Sequence, residues 1–173
     1  SNKVKLVAND PGYTVTITKP ADSILCAGSS VLLTAISSKP GVTYQWRKDN
    51  VAIPGATGTT YLVTTGGYYR VMASDGVSSC AAASRNIAMV VKPNPPATIT
   101  VPGGTTTACE NEGVLLNANI GGYTYEWMRG GTVIYGVTDS SVLIRNSGIY
   151  SVKVRNADGC VSYSTTVTVN ILP

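Results

Sequence analysis

Apolar positions recur with a period of two along most of this chain. Val31/Leu33/Ala35, Tyr44/Trp46, Tyr61/Val63 and Tyr69/Val71/Ala73 each alternate with small or polar residues, as strands with one buried face do. The alternation returns at Val114/Leu116/Ala118, Tyr125/Trp127, Val142/Ile144 and Tyr150/Val152/Val154. Gly, Asn, Asp and Pro interrupt it at Lys39-Pro40-Gly41, Lys48-Asp49-Asn50, Pro54-Gly55, Gly66-Gly67 and Asp75-Gly76. That is the punctuation of short antiparallel strands joined by tight turns. No segment of useful length carries a helical period, so an all-β fold is predicted.

The pattern is one unit written twice. Cys26 precedes Val31-Leu32-Leu33 by the same interval that separates Cys109 from Val114-Leu115-Leu116, and Tyr44-Gln45-Trp46 matches Tyr125-Glu126-Trp127. From each Trp onward the spacing holds without a gap: Ile53, Gly55 and Thr57 match Ile134, Gly136 and Thr138, and Gly67/Tyr69/Val71 match Gly148/Tyr150/Val152. Three prolines within Pro93–Pro96 cannot donate to a strand ladder and favour an extended connection. The predicted organisation is therefore a leader or tail of a preceding unit over 1–12, a first domain over 13–92, a linker over 93–96 and a second domain over 97–173. About seven strands per unit, with Tyr-x-Trp on the third and Gly-x-Tyr-x-Val on the sixth, describe two tandem immunoglobulin-like antiparallel β-sandwiches. Trp46, Tyr69, Trp127 and Tyr150 are the predicted core.

Composition narrows the function. The 173 residues are 43% hydrophobic and 13% charged, which argues for a folded chain. No apolar run approaches the roughly 18 residues of a membrane-spanning helix. The net charge of +4 comes from cations scattered singly along the chain, so no nucleic-acid partner is expected. There is no His, which removes Ser/His/Asp triads, Cys/His dyads and His-containing zinc sites. The nine acids form no Asp-x-Asp-x-Asp loop, and Glu110-Asn111-Glu112 alone is too thin for calcium. No catalytic, cofactor-binding or metal-binding residue is predicted.

Four cysteines, one pair per repeat, predict the disulfides Cys26–Cys80 and Cys109–Cys160. In antibody-type domains the second cysteine follows the strand F Tyr by two residues; Val71 and Val152 hold that place here. Cys80 and Cys160 come later, beyond Asp75-Gly76 and beside Asp158-Gly159, in the predicted F–G turn, while Cys26 and Cys109 lie just before strand B. Each bond is expected to pin one end of its sandwich. A metal or redox role lacks support, because there is no Cys-x-x-Cys and no His. Structural disulfides imply a secreted or cell-surface location.

Cys26-Ala-Gly-Ser-Ser-Val-Leu-Leu33, Tyr44-Gln-Trp-Arg47, Ile53-Pro-Gly-Ala-Thr57, Gly66-Gly-Tyr-Tyr-Arg-Val71 and Asn156-Ala-Asp-Gly-Cys160 together resemble the tandem Ig-like repeats of large secreted or surface proteins of gliding, type IX-secreting bacteria. The resemblance covers about residues 13–173. It implies a monomeric segment of a longer multidomain chain, serving as a spacer, adhesive or gliding-associated element, with other proteins or surface polysaccharide as partners. The alternative is a carbohydrate-binding accessory module of a polysaccharide-degrading enzyme. That module needs exposed coplanar rings, for which Tyr13, Tyr68, Tyr123, Tyr135 and Tyr163 are the candidates. Recognition, if carried, is expected on the loops Ala56–Thr60, Asp75–Ser79 and Gly130–Thr132.

Overall fold

A computed structural model describes residues 11–19, 24–77 and 80–173. The chain divides into two units, one ending at Val91 and the other spanning Lys92–Pro173. The leader expected over 1–12 lies, apart from Pro11 and Gly12, outside the described residues. Among the described residues there are strands and turns and no helix.

In the first unit the strands are β1 (Val15–Thr18), β2 (Ile24–Cys26), β3 (Val31–Ser37), β4 (Thr43–Lys48), β5 (Val51–Ala52), β6 (Thr60–Val63), β7 (Gly67–Ser74), β8 (Ala82–Ala83) and β9 (Ile87–Lys92). One sheet has the order β1-β3-β6; the other runs β2-β9-β7-β4-β5, with β8 also paired to β7. The second unit repeats this with β10 (Ile99–Thr100), β11 (Thr107–Cys109), β12 (Val114–Ala118), β13 (Thr124–Arg129), β14 (Thr132–Val133), β15 (Ser141–Ile144), β16 (Gly148–Arg155), β17 (Val161–Tyr163) and β18 (Val167–Leu172). Its sheets are β10-β12-β15 and β11-β18-β16-β13-β14, with β17 on β16. In immunoglobulin notation these are A-B-E and A′-G-F-C-C′, including the parallel pairing of A′ with G, which β11 and β18 make. Each unit is therefore an immunoglobulin-like sandwich.

The alternation seen in sequence is the pleat that closes each core. Along β7 every second residue, Tyr69, Val71 and Ala73, is buried, as are Tyr150, Val152 and Val154 along β16. The indoles of Trp46 and Trp127 are fully enclosed. Each satisfies its one polar atom by donating Nε1–H to a loop carbonyl, Gly58 O or Asp139 O, at 2.9 Å in both cases. Tyr69 and Tyr150 donate their hydroxyls to the carbonyls of Thr65 and Asn146, four residues upstream, at 2.9 and 2.8 Å. A buried ring therefore fixes the corner that leads into each F strand. The β4–β5 hairpin turns on Asp49 and Asn50, both at positive φ (48° and 68°), a conformation that Asp and Asn tolerate better than most residues.

Both G strands are broken by a bulge centred on a serine. The pairing Met72↔Ala83 shifts by one residue to Tyr69↔Ile87, and Lys153↔Tyr163 shifts likewise to Tyr150↔Val167. At the shift Ser84 Oγ accepts the Val71 N–H and donates to Arg85 O, both at 3.0 Å. Ser164 makes the same pair of bonds, to Val152 N and Thr165 O. The hydroxyl replaces the ladder carbonyl that the extra residue displaces.

Replacing Trp127 by Ala should cost the second unit about 3–5 kcal/mol by emptying its centre, read by urea unfolding, with the first unit's transition unmoved. Ser84→Ala should cost about 1–3 kcal/mol, because it strands the N–H of buried Val71. An effect below about 0.5 kcal/mol, the range of ordinary surface substitutions, would show that the bulge hydroxyl is dispensable.

Candidate functional site

Concave chemistry is sparse. A shallow groove of about 420 Å³ in the first unit runs between β1 and the β8–β9 region; its lining includes Val15, Ile17, Ile87 and a single ionisable residue, Arg85. A second of about 420 Å³ in the other unit is lined by Ile134, Val137 and Val142 with Arg129 and Arg145, and holds no carboxylate. Among the described residues no three His, Cys, Asp or Glu side chains gather as metal ligands. Three acids are engaged in ion pairs: Asp75 with Lys39 at 2.7 Å, Asp158 with Lys92 at 3.2 Å and Glu126 with Lys153 at 2.9 Å.

The tyrosine candidates separate. Tyr13 is not an exposed ring; it is buried and donates its hydroxyl to Ala73 O at 3.0 Å, because β1 carries it under the first sandwich. Tyr123 is half-buried. Tyr68, Tyr135 and Tyr163 stand in solvent. Within the second unit Tyr135 follows β14 and Tyr163 ends β17, and β13 and β16 run between them. Three interstrand spacings put β14 and β17 about 14 Å apart across the sheet, so the two tyrosines do not lie on neighbouring strands. Of the expected recognition loops, Ala56–Thr60 is pinned to the core by the bonds Trp46 N–H to Ala56 O and Ala35 N–H to Thr59 O. Gly130–Thr132 forms the β13–β14 hairpin, and Ser78 and Ser79 lie outside the described residues.

The cysteines occupy the ends of each sandwich, and both expected within-repeat pairs require correction: Cys80 and Cys109 are free thiols, while Cys26 and Cys160 are disulfide-bonded. The reason is strand direction. We call the end where β7 and β16 begin the base, and the end where they finish the tip. Cys109 pairs in register with Leu172, three residues beyond the Val169 that faces Gly148, so it lies at the base. Cys160 lies past Arg155 in the β16–β17 turn, at the tip. Cys26 closes a turn with Ser29 just ahead of Val31, which pairs with Val63 close to the start of β7, again at the base. Cys80 follows β7 and precedes Ala82, which pairs with Ala73, again at the tip. The eight-residue strand between base and tip spans about 23 Å. Disulfide Cα atoms sit at most about 7 Å apart.

The tip of the second unit is a built structure. Asn156 Oδ1 accepts the Cys160 N–H at 2.9 Å, and Asn156 Nδ2 donates to Pro93 O at 3.1 Å. Asp158 pairs with Lys92, and Gly159 supplies the positive φ of 85° that the turn needs. The incoming segment of this unit is thus held against the turn that carries its fully buried cysteine. At the base, Arg145 donates to the carbonyls of Glu110 and Asn111 at 2.9 and 2.7 Å. Exposed Cys109 there borders an open groove of about 590 Å³ with Pro173. Neither serine bulge nor the Asn156 brace was predicted; Ser and Asn at those positions read as ordinary turn residues until the register is known.

Residues 15–93 match a family model described as a domain of unknown function (DUF8696). No curated protein matches the chain. Among solved structures, similarity is found to the three N-terminal domains of the bacteriophage RB49 Highly Immunogenic Outer Capsid protein, with 20% identity, 92% of this chain and 59% of that chain covered, and a TM-score of 0.46. Drosophila OTK extracellular domains 3–5 are similar at 17% identity over 92% of this chain and 60% of that one, with a TM-score of 0.49. Murine CEACAM1b is similar at 16% identity over 92% and 100%, with a TM-score of 0.42. At these identities the likeness concerns the fold alone.

Alkaline pH should loosen the sandwich. Burial, and secondarily the neighbouring Tyr69, raises the Tyr61 phenol above its ordinary 10.0; burial, then Tyr123, does the same for Tyr125. A group whose folded pKa is raised contributes stability that is present below its unfolded value and lost as pH climbs through the folded one. The denaturation midpoint should hold up to about pH 10 and then fall. Ultraviolet titration should show a late-ionising class of tyrosine that vanishes in denaturant.

Proposed function

We propose that this chain is a non-enzymatic structural or adhesive segment of a larger secreted or cell-surface bacterial protein, of the kind found in gliding, type IX-secreting bacteria, working as a spacer or display module. The observation that carries the reading is the closure of both sandwiches around a fully buried indole, beside which the two grooves lined by aliphatic side chains carry no paired acids. Glycosidic catalysis needs two carboxyls facing across a cleft, and neither of these two grooves is lined by such a pair. Repetition of one self-contained core gives length and mechanical continuity instead. Among the described residues no helix is long and apolar enough to cross a membrane.

Resistance of the two units to a pulling force can be measured. Stretched singly under reducing conditions, the chain should unfold in two separate events, each releasing about 25 nm of contour for roughly 80 residues. A smooth extension without discrete events would remove the spacer role. Separately, the isolated chain should neither turn over a panel of polysaccharides nor be retained on them when insoluble; retention lost in Tyr135→Ala would favour the carbohydrate-binding alternative.

A further inference from the structure

We propose that the cysteines couple one repeat to another: a base cysteine of one repeat bonds the tip cysteine of another copy, so that Cys109 receives the tip cysteine of a further repeat and Cys80 receives a base cysteine. Three observations converge. Each repeat places its two cysteines at opposite ends, with a separation of about 23 Å along the F strand that no disulfide spans. The placement is the same in both repeats, although the residues around it differ. The two cysteines in disulfide form, Cys26 and Cys160, are one base and one tip cysteine, and the two free thiols, Cys109 and Cys80, are again one of each.

Chain direction makes the arrangement repeatable. In the first unit β9 runs past Met89, the partner of Gly67, and so leaves at the base. In the second unit β10 begins opposite Ala118, the last residue of β12, and so enters at the tip. A base cysteine therefore sits where the polypeptide departs, and a tip cysteine where it arrives. The turn that carries the bonded tip cysteine, Cys160, is braced by Asn156 and Asp158, and the free base cysteine, Cys109, is exposed beside an open groove. In a tandem array a short connection raises the local concentration of the two thiols to about the millimolar range.

The chemistry needs a disulfide oxidant, and oxidised glutathione is the one we specify. The Cys109 thiolate attacks one glutathione sulfur, breaking the S–S bond and releasing one glutathione thiolate. The Cys80 thiolate of a second copy then attacks Cys109 Sγ and expels the other. Two protein thiols lose two protons and two electrons, and one oxidised glutathione becomes two reduced molecules.

The proposal extends the modular reading, and the stretching experiment, run reduced, does not depend on it; each can fail alone. The test incubates the chain at about 1 mM, to match that local concentration, with oxidised glutathione. Products are followed by non-reducing electrophoresis and disulfide peptide mapping. The expected result is a ladder of multiples of the monomer that collapses with reductant. The mixed Cys80–Cys109 peptide should exceed the two symmetric peptides combined, which random pairing makes equal to it. The variant Cys80→Ser/Cys109→Ser should lose the ladder, and Cys109→Ser alone, which leaves no free base cysteine, should stay monomeric, a Cys80–Cys80 dimer counting against the proposal. Alkylating both free thiols of the native protein should reproduce the loss without any substitution. Peptides joining Cys26 to Cys80 or Cys109 to Cys160, a ladder built on symmetric bonds, or persistent free thiols without a ladder would each overturn the proposal.

Discussion

Each repeat is organised around an indole that must be buried on all sides and still donate its one N–H. Trp46 and Trp127 meet that demand identically, by reaching a loop carbonyl twelve residues on. Burying so large an aromatic removes more apolar surface from water than any other side chain can, but only if both sheets close over it. The short C′ strand, the loop that follows it and the F-strand tyrosine are placed by that requirement. In the first unit Tyr61 stacks 5.8 Å from Trp46 and lies 5.9 Å from Tyr69, whereas Val142 fills the equivalent place in the second. The two cores thus solve one packing problem with different volumes.

Much of this was legible from the residues. A period of two appears wherever a strand has one face in the core, and a repeat seen twice makes the pattern hard to mistake. Tyr13 was not legible, because a lone aromatic ahead of β1 carries no periodic signal, and only the pairing of β1 with β3 brings its hydroxyl to Ala73. The serines of the G-strand bulges were hidden for a similar reason: their role exists only where the register slips by one.

The cysteines teach the sharper lesson. Cys26 and Cys109 lie just before strand B and Cys80 and Cys160 just after strand F, and chain direction keeps the two of each repeat apart. Strands B and F both start at the base in this topology, so a residue ahead of one and a residue behind the other lie a full strand length apart. The signal was present in the strand order itself. An antibody-type bond avoids the problem by placing both cysteines in mid-strand; Val71 and Val152 occupy that mid-strand place here, fully buried. Apolar packing therefore replaces sulfur at the centre, and the thiols are released to the ends.

The aromatic core, rather than any bond closed inside a repeat, holds each sandwich together. The direct measurement is acrylamide quenching of tryptophan fluorescence across a urea titration, in the presence and absence of reductant. The account predicts that both indoles stay shielded in reductant until each unit unfolds. Indoles that open to quencher on reduction alone, without denaturant, would contradict it.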